Sequence, residues 1–201
     1  MKGFLTVAMI FSLNVLIAQT EWKLDKNHSD IRFTVTHMTI AELDGEFTDF
    51  DGKIMSTSDD FNNATVEFTA KTASVSTDNE GRDKHLKNDD FFNAEKYPDI
   101  KFLGKLIKKG KKYSLAGDFT MRDVTKPVTF SVKYNGQVPT KRGRKAGFIL
   151  TGTVNRFDYG VKWDSKLDDG KSLVVGNEVM ITCHIELNEV KPEAPKPGGG
   201  E

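Results

Sequence analysis

Residues 31–37 read IRFTVTH. Ile31, Phe33 and Val35 alternate with Arg32, Thr34 and Thr36. A period of two sets the apolar side chains on one face of a strand and the polar ones on the other. His37 continues the parity of Ile31, so it is expected to point inward. The same alternation recurs along the chain. Val66, Phe68 and Ala70 share a face, as do Ile100 and Phe102. Leu115, Phe119 and Met121 follow, then Val128, Phe130, Val132 and Tyr134. Phe148, Leu150 and Val154 continue it. Val179, Ile181, Cys183, Ile185 and Leu187 finish it. With a run near 44–57 that holds Phe47 and Ile54, the pattern predicts about eight strands.

Turn signals separate these runs. Asp-Gly occurs at 44–45, 51–52 and 169–170, and the KKGKK and KRGRK segments carry central glycines. Short connections of this kind make hairpins rather than crossover helices. The expected fold is all-β: an antiparallel eight-stranded barrel with one short helical insertion in RDKHLKNDDFF, residues 82–92. A sandwich is the competing arrangement.

The flanks read differently. Residues 1–18 carry Lys2 and then an apolar run from Phe4 to Ile17, the pattern of a secretory signal peptide. The expected domain spans 19–190, and the Pro/Gly tail 191–201 is expected to be disordered. The formal net charge of 0 becomes −1 when Lys2 leaves with the leader, which argues against a nucleic-acid partner. With Cys183 alone there is no intrachain disulfide, so the core must hold the fold. About 170 residues suffice for that in one domain.

Chemistry-bearing residues are few. His28 and His37 lie nine apart; on a single strand they would face opposite ways, about 30 Å from each other. His184 follows Cys183 directly, so no zinc-like spacing exists. No Gly-x-Ser-x-Gly elbow occurs. Cys183 sits among apolar strand residues, where a thiol packs as a small hydrophobe. The basic segments 105–112 and 141–145 fit solvated turns, or transient docking to an anionic membrane surface. The inward aromatics fit either a packed core or the lining of a ligand cavity. Arg156 shares the parity of Phe148, Leu150 and Val154. An inward His37 and an inward Arg156 need partners, a carboxylate such as Asp83 or Asp158, or else a ligand head group.

NHSDIRFTVTHM, GEFTDFDGKI, GRDKHLKNDDFFNAEKYPDIKF, GDFTMRDVTKPVTF, NRFDYG and VGNEVMI follow one another along residues 22–188. In that order they resemble the YceI-like, polyisoprenoid-binding proteins. The resemblance implies a lipocalin-like barrel in a periplasmic or secreted protein that encloses a long-chain isoprenoid or another amphiphilic lipid. It implies no cofactor and no catalytic residues, and the spacings above give no metal site. Phe33, Val35, Phe47, Phe68, Phe102, Phe119, Phe130 and Phe148 would line the cavity. Phe91 and Phe92 would plug one opening from a helical flap. His37, Arg82, His85 and Arg156 would meet the head group or pair with strand polar groups. An enzyme acting on an amphiphile is the alternative, and it requires His37, His85 and Asp83 to converge. A packed barrel serving as an interaction module is another.

Overall fold

The computed structural model describes residues 19–170 and 172–191. The signal peptide expected at 1–18 lies outside these residues, as does all of the expected tail but Lys191.

Strand segments β1 Thr20–Leu24, β2 Asp30–His37, β3 Ala41–Phe47, β4 Phe50–Ser56, β5 Thr65–Lys71, β6 Val75–Ser76, β7 Asp99–Lys109, β8 Lys112–Met121, β9 Val124–Thr140, β10 Gly143–Asn155 and β11 Val175–Glu189 form one antiparallel sheet. Six of these segments are halves of three bent strands. β1 and β2 flank a 3-10 turn at Lys26–His28, and both pair with β11. β4 and β3 pair in turn with β1 and β2. β5 and β6, split by a 3-10 turn at Thr72–Ser74, pair with β4 and β3. Hairpin pairing then runs from β5 through β7, β8, β9 and β10 to β11. The result is the closed eight-stranded barrel that the alternation predicts. Closure pairs both edges of the sheet, which an open sandwich would leave free.

The breaks have local causes. The Asp25 carboxylate accepts from the Asn27 amide at 3.2 Å and starts the first 3-10 turn. Opposite Gly147/Phe148 of β10 the register slips because β9 carries one extra residue, Asn135, beside Gly136 at φ 108°, a bulge that bends this 17-residue strand around the barrel. The helix α1 spans Glu80–Lys87 and is capped by Asn79, which accepts from the Arg82 amide at 2.9 Å. Two turn expectations fail. Asp44-Gly45 lies inside β3 and Asp51-Gly52 inside β4, because both glycines face the barrel interior beside aromatic rings. Asp169-Gly170 is a turn, with Gly170 at φ 65°.

One end of the barrel is plugged. Phe61 is fully buried, 5.0 Å from the Trp22 ring, 5.1 Å from Phe148 and 5.8 Å from Tyr134. It holds φ 57°, unusual for a bulky residue. Its loop is fastened down by Asn63 N to Leu106 O at 2.8 Å and by Leu106 N to Ala64 O at 2.9 Å. Lys108 bonds Asp60 at 2.8 Å. Arg144 grips Asp59 at 2.7 Å and Glu189 at 2.8 Å while lying over the Trp22 ring.

Two predictions arise here. Phe61→Ala removes the plug and is expected to destabilise the protein by about 3–5 kcal/mol in urea unfolding. The Lys108 ammonium holds the Asp60 carboxyl down to about 2, and the Arg144 guanidinium lowers Glu189. Both folded-state values lie below the unfolded ones. Their contribution is therefore complete above roughly pH 4.5 and lost as pH falls through the depressed values. The urea midpoint should drop on acidification below pH 4.5, and Lys108→Met should shrink that drop.

Candidate functional site

Inside the barrel runs a cavity of about 200 Å³ whose walls are almost wholly apolar. β2 contributes Ile31, Phe33 and Val35, and β11 contributes Val179, Ile181, Cys183, Ile185 and Leu187. Phe47, Phe68, Phe102, Phe119, Phe130 and Phe148 come from the other strands. All ten cavity-lining and plugging residues expected from the sequence are therefore brought together. The ring contacts run around the wall: Phe33 meets Phe47 on the adjacent strand at 5.7 Å, and Phe102 meets Phe130 two strands away at 5.9 Å. The barrel is hollow rather than filled by its own side chains.

At the end opposite the plug, α1 and the loop after it form the flap. Leu86, Phe91 and Phe92 face the cavity from it, and Phe92 packs edge-on against Phe47 at 5.5 Å. The flap is clasped by a residue that alternation does not mark, Arg122 in the β8–β9 turn. Its guanidinium donates to the carbonyls of Asp89 (2.7 Å) and Phe91, pairs with the Asp89 carboxylate at 3.2 Å, and lies over the Tyr97 ring at 5.3 Å. Arg122 and Asp123 both sit at positive φ, at 50° and 57°, the backbone of a tight hairpin turn. An Arg-Asp pair between two alternating runs was the available signal.

The polar residues expected at the cavity are mostly elsewhere. Arg82 donates to Thr77 Oγ1 and Thr77 O, both at 2.7 Å, and Asp83 accepts from the Thr77 amide at 2.8 Å. These bonds pin the helix start to the chain before it, so Arg82 does not line the cavity. His85 pairs with Asp90 at 2.8 Å and stands edge-on to Phe91 and Trp163 on the flap's outer side. His37 ends β2 beyond the cavity lining, where the chain turns through Met38 and Thr39. Among the described residues no hydrogen bond or ion pair joins His37, His85 and Asp83; Asp83 bonds Thr77 and His85 bonds Asp90.

Arg156 alone of the four polar residues reaches the cavity wall, and it is 4% exposed. Its partners are carbonyls, not Asp83 or Asp158: Gly176 at 2.8 Å, Val161 at 2.9 Å and Val175 at 3.0 Å. Asp158 pairs instead with Lys126 at 3.0 Å. Burial pushes the guanidinium below the ordinary arginine range, with Asp164 opposing. Three carbonyls satisfy part of its donor fork, so Arg156 ties the 3-10 turn Arg156–Tyr159 and the return loop to β11.

Cys183 is buried, and burial pushes its thiol up to about 12, as the packing role predicts. Asp25, His28 and Glu186 have ligand atoms close together on the outer surface. The Lys145 ammonium bonds both carboxylates of that group, the spot a metal ion would need.

Arg122→Ala is expected to loosen the flap. Amide exchange at Phe92 and Ala94, which bond Leu86 O and Lys87 O, should accelerate by about tenfold or more, since hydrogen bonds from a charged group contribute about 1.5–3 kcal/mol. At pH 8 Cys183 should resist alkylation in the native protein and react fully once unfolded in urea.

The profile of the YceI-like domain matches residues 22–187. A UPF0312 protein of Staphylococcus aureus is 31% identical over 171 residues, which cover 84% of this chain and 98% of that relative. The crystal structure of the Campylobacter jejuni YCEI protein shares 30% identity at a TM-score of 0.65, covering 78% of this chain and 90% of that one. A polyisoprenoid binding domain from Saccharophagus degradans, 13% identical with a TM-score of 0.64, shares the fold over 84% of this chain and 98% of its own.

Proposed function

This chain belongs to the YceI-like domain family, and on that premise we propose that it is an exported, non-enzymatic binding protein that holds one isoprenoid or similar amphiphilic lipid chain. The observation that carries the reading is the void. Maintaining about 200 Å³ unfilled forgoes on the order of 5 kcal/mol of packing at roughly 24 cal/mol per Å³. Domains are stable by only about 5–15 kcal/mol, so a void of this size argues for an occupant. The polyisoprenoid binding named for the Saccharophagus degradans neighbour supports an isoprenoid as that occupant.

Size narrows the ligand. A cavity of about 150 Å³ holds one benzene ring, so this one suits a chain segment of roughly eight carbons. Each buried methylene contributes about 0.8 kcal/mol, a gross gain of roughly 6 kcal/mol before ordering costs. A longer prenyl chain would leave its remainder, with the head group, beyond the flap. The lining offers a charged or strongly polar head almost no hydrogen bonds, which supports that direction of entry.

The apolar leader at 4–17 supports export, with the periplasm as the destination. We further propose a weak electrostatic contact with anionic membrane. The exposed Lys109, Lys111, Lys112, Lys141 and Arg142 all lie at the plugged end, so such a contact would leave the flap clear.

Organic extraction of the purified protein followed by mass spectrometry should recover about one lipid chain per barrel. Delipidated protein should take up farnesol-type probes. Ile181→Trp, which fills the cavity with apolar bulk, should block uptake while the protein still unfolds cooperatively. Absence of lipid in the extract together with no uptake by the wild type would refute the proposal.

A further inference from the structure

On the inner wall, two rings lie where neighbouring strands have no side chain. Gly45 in β3 is the direct cross-strand partner of Phe33 in β2. A methyl group on Gly45 would stand 2.3 Å from Phe33 Cζ and within 2.9 Å of both ε carbons. The ring therefore occupies the volume that any other residue would need. Gly152 in β10 likewise makes room for the ring of Phe130 in β9: a methyl there would meet Phe130 Cδ1 at 2.5 Å and Cε1 at 3.1 Å. In both places the close atoms belong to the ring and none to the backbone.

Gly104 and Gly117 differ. They face each other across β7 and β8 beneath the Phe102 ring. A methyl on Gly104 would also lie 2.4 Å from Ala116 O, and one on Gly117 would lie 2.3 Å from Leu103 O. Their absence of a side chain is demanded by the backbone itself, so substitution there would disturb the sheet.

Resting on the binding function proposed above, we infer that Gly45 and Gly152 determine ligand specificity. By receiving the Phe33 and Phe130 rings into the wall they set the bore of the cavity, and they make it wide enough for a methyl-branched chain. Both rings line the cavity. An alanine at either glycine displaces the ring from its recess, and the lumen that the ring already lines is the open space beside it. A narrowed bore then discriminates by thickness. A prenyl chain carries a methyl branch on every isoprene unit, and a saturated straight chain carries none.

The test compares two probes, farnesol and a straight-chain alcohol of similar carbon number, on the wild type, Gly45→Ala and Gly152→Ala. Each alanine variant should lose farnesol affinity by tenfold or more, within the about 10–200-fold that one methylene-sized change commands in an apolar pocket. Straight-chain binding should change less than threefold. Gly45→Ala/Phe33→Leu and Gly152→Ala/Phe130→Leu should restore farnesol binding, since the shorter side chain clears the added methyl without entering the bore. Thermal unfolding of each variant verifies the fold. Wild-type protein that takes up neither probe overturns the binding function itself. Wild-type uptake with no farnesol loss in the alanine variants overturns only the specificity role. So does an equal loss of both probes that the leucine changes do not restore.

Discussion

The barrel depends on one strand doing the pairing of two. β11 bonds β10 along one edge, and along its other edge it bonds β2 and then β1. Those two segments can share a partner only because the chain steps through a 3-10 turn at Lys26–His28 and resumes in the same direction. The step is held by polar groups: Asp25 accepts from Lys145 at 3.0 Å and from Asn188 at 3.2 Å, and the Glu186 amide donates to Ser29 Oγ at 2.9 Å. Burial alone would raise the Asp25 pKa, yet the bonds from Lys145, His28 and Asn188 outweigh it and drive the carboxyl well below the usual range. Without this joint the sheet would stay open, two edges would face solvent, and no lumen would exist.

Closure encloses space but does not decide what fills it. An eight-stranded barrel has an interior that large side chains can occupy completely. Here the phenylalanines are numerous enough to do so. They stay at the wall because glycines on adjoining strands leave recesses for the rings, and because the ring contacts link near neighbours around the circumference. The same residues thus give apolar surface to a ligand and keep out of its way. The ends are sealed differently. A fully buried Phe61 closes one, while the other is covered by a helix that buries no residue fully and is fastened largely through Arg122. The lightly buried helix makes the second end the one suited to open.

Much of this was legible because one face of each strand is buried and the other is wet. Parity alone placed Phe33, Phe102, Phe130 and Ile181 correctly, and no side chain of that set had to be known in contact. Several of the failures lie where periodicity stops. Phe61 sits in the polar loop SDDFNNA and enters the core through a left-handed backbone that no alternation announces. His37 keeps the inward parity but is the last residue of its strand. Arg156 points inward as expected, yet its partners are carbonyls, and carbonyls are present at every residue and leave no mark in a sequence. Asp44-Gly45 looks like a hairpin because glycine permits turns; whether it supplies conformational freedom or merely vacant volume is decided by Phe33, twelve residues earlier. The hollow interior itself could not be read, since a packed core and a lined cavity demand the same inward residues.

Trp22 and Glu189 are cross-strand partners, so the first and last strands of the domain lie side by side. Neighbouring strands are roughly 5 Å apart, a gap that a handful of flexible residues can bridge. The fold is consequently a ring in chain order as well as in space. It should accept circular permutation, with new ends opened at an exposed hairpin tip such as Gly110. Cargo joined at residues 19 or 191 would hang from the plugged end like a keel, and the barrel could be anchored to a bead or a chip there while its covered end faces the bulk.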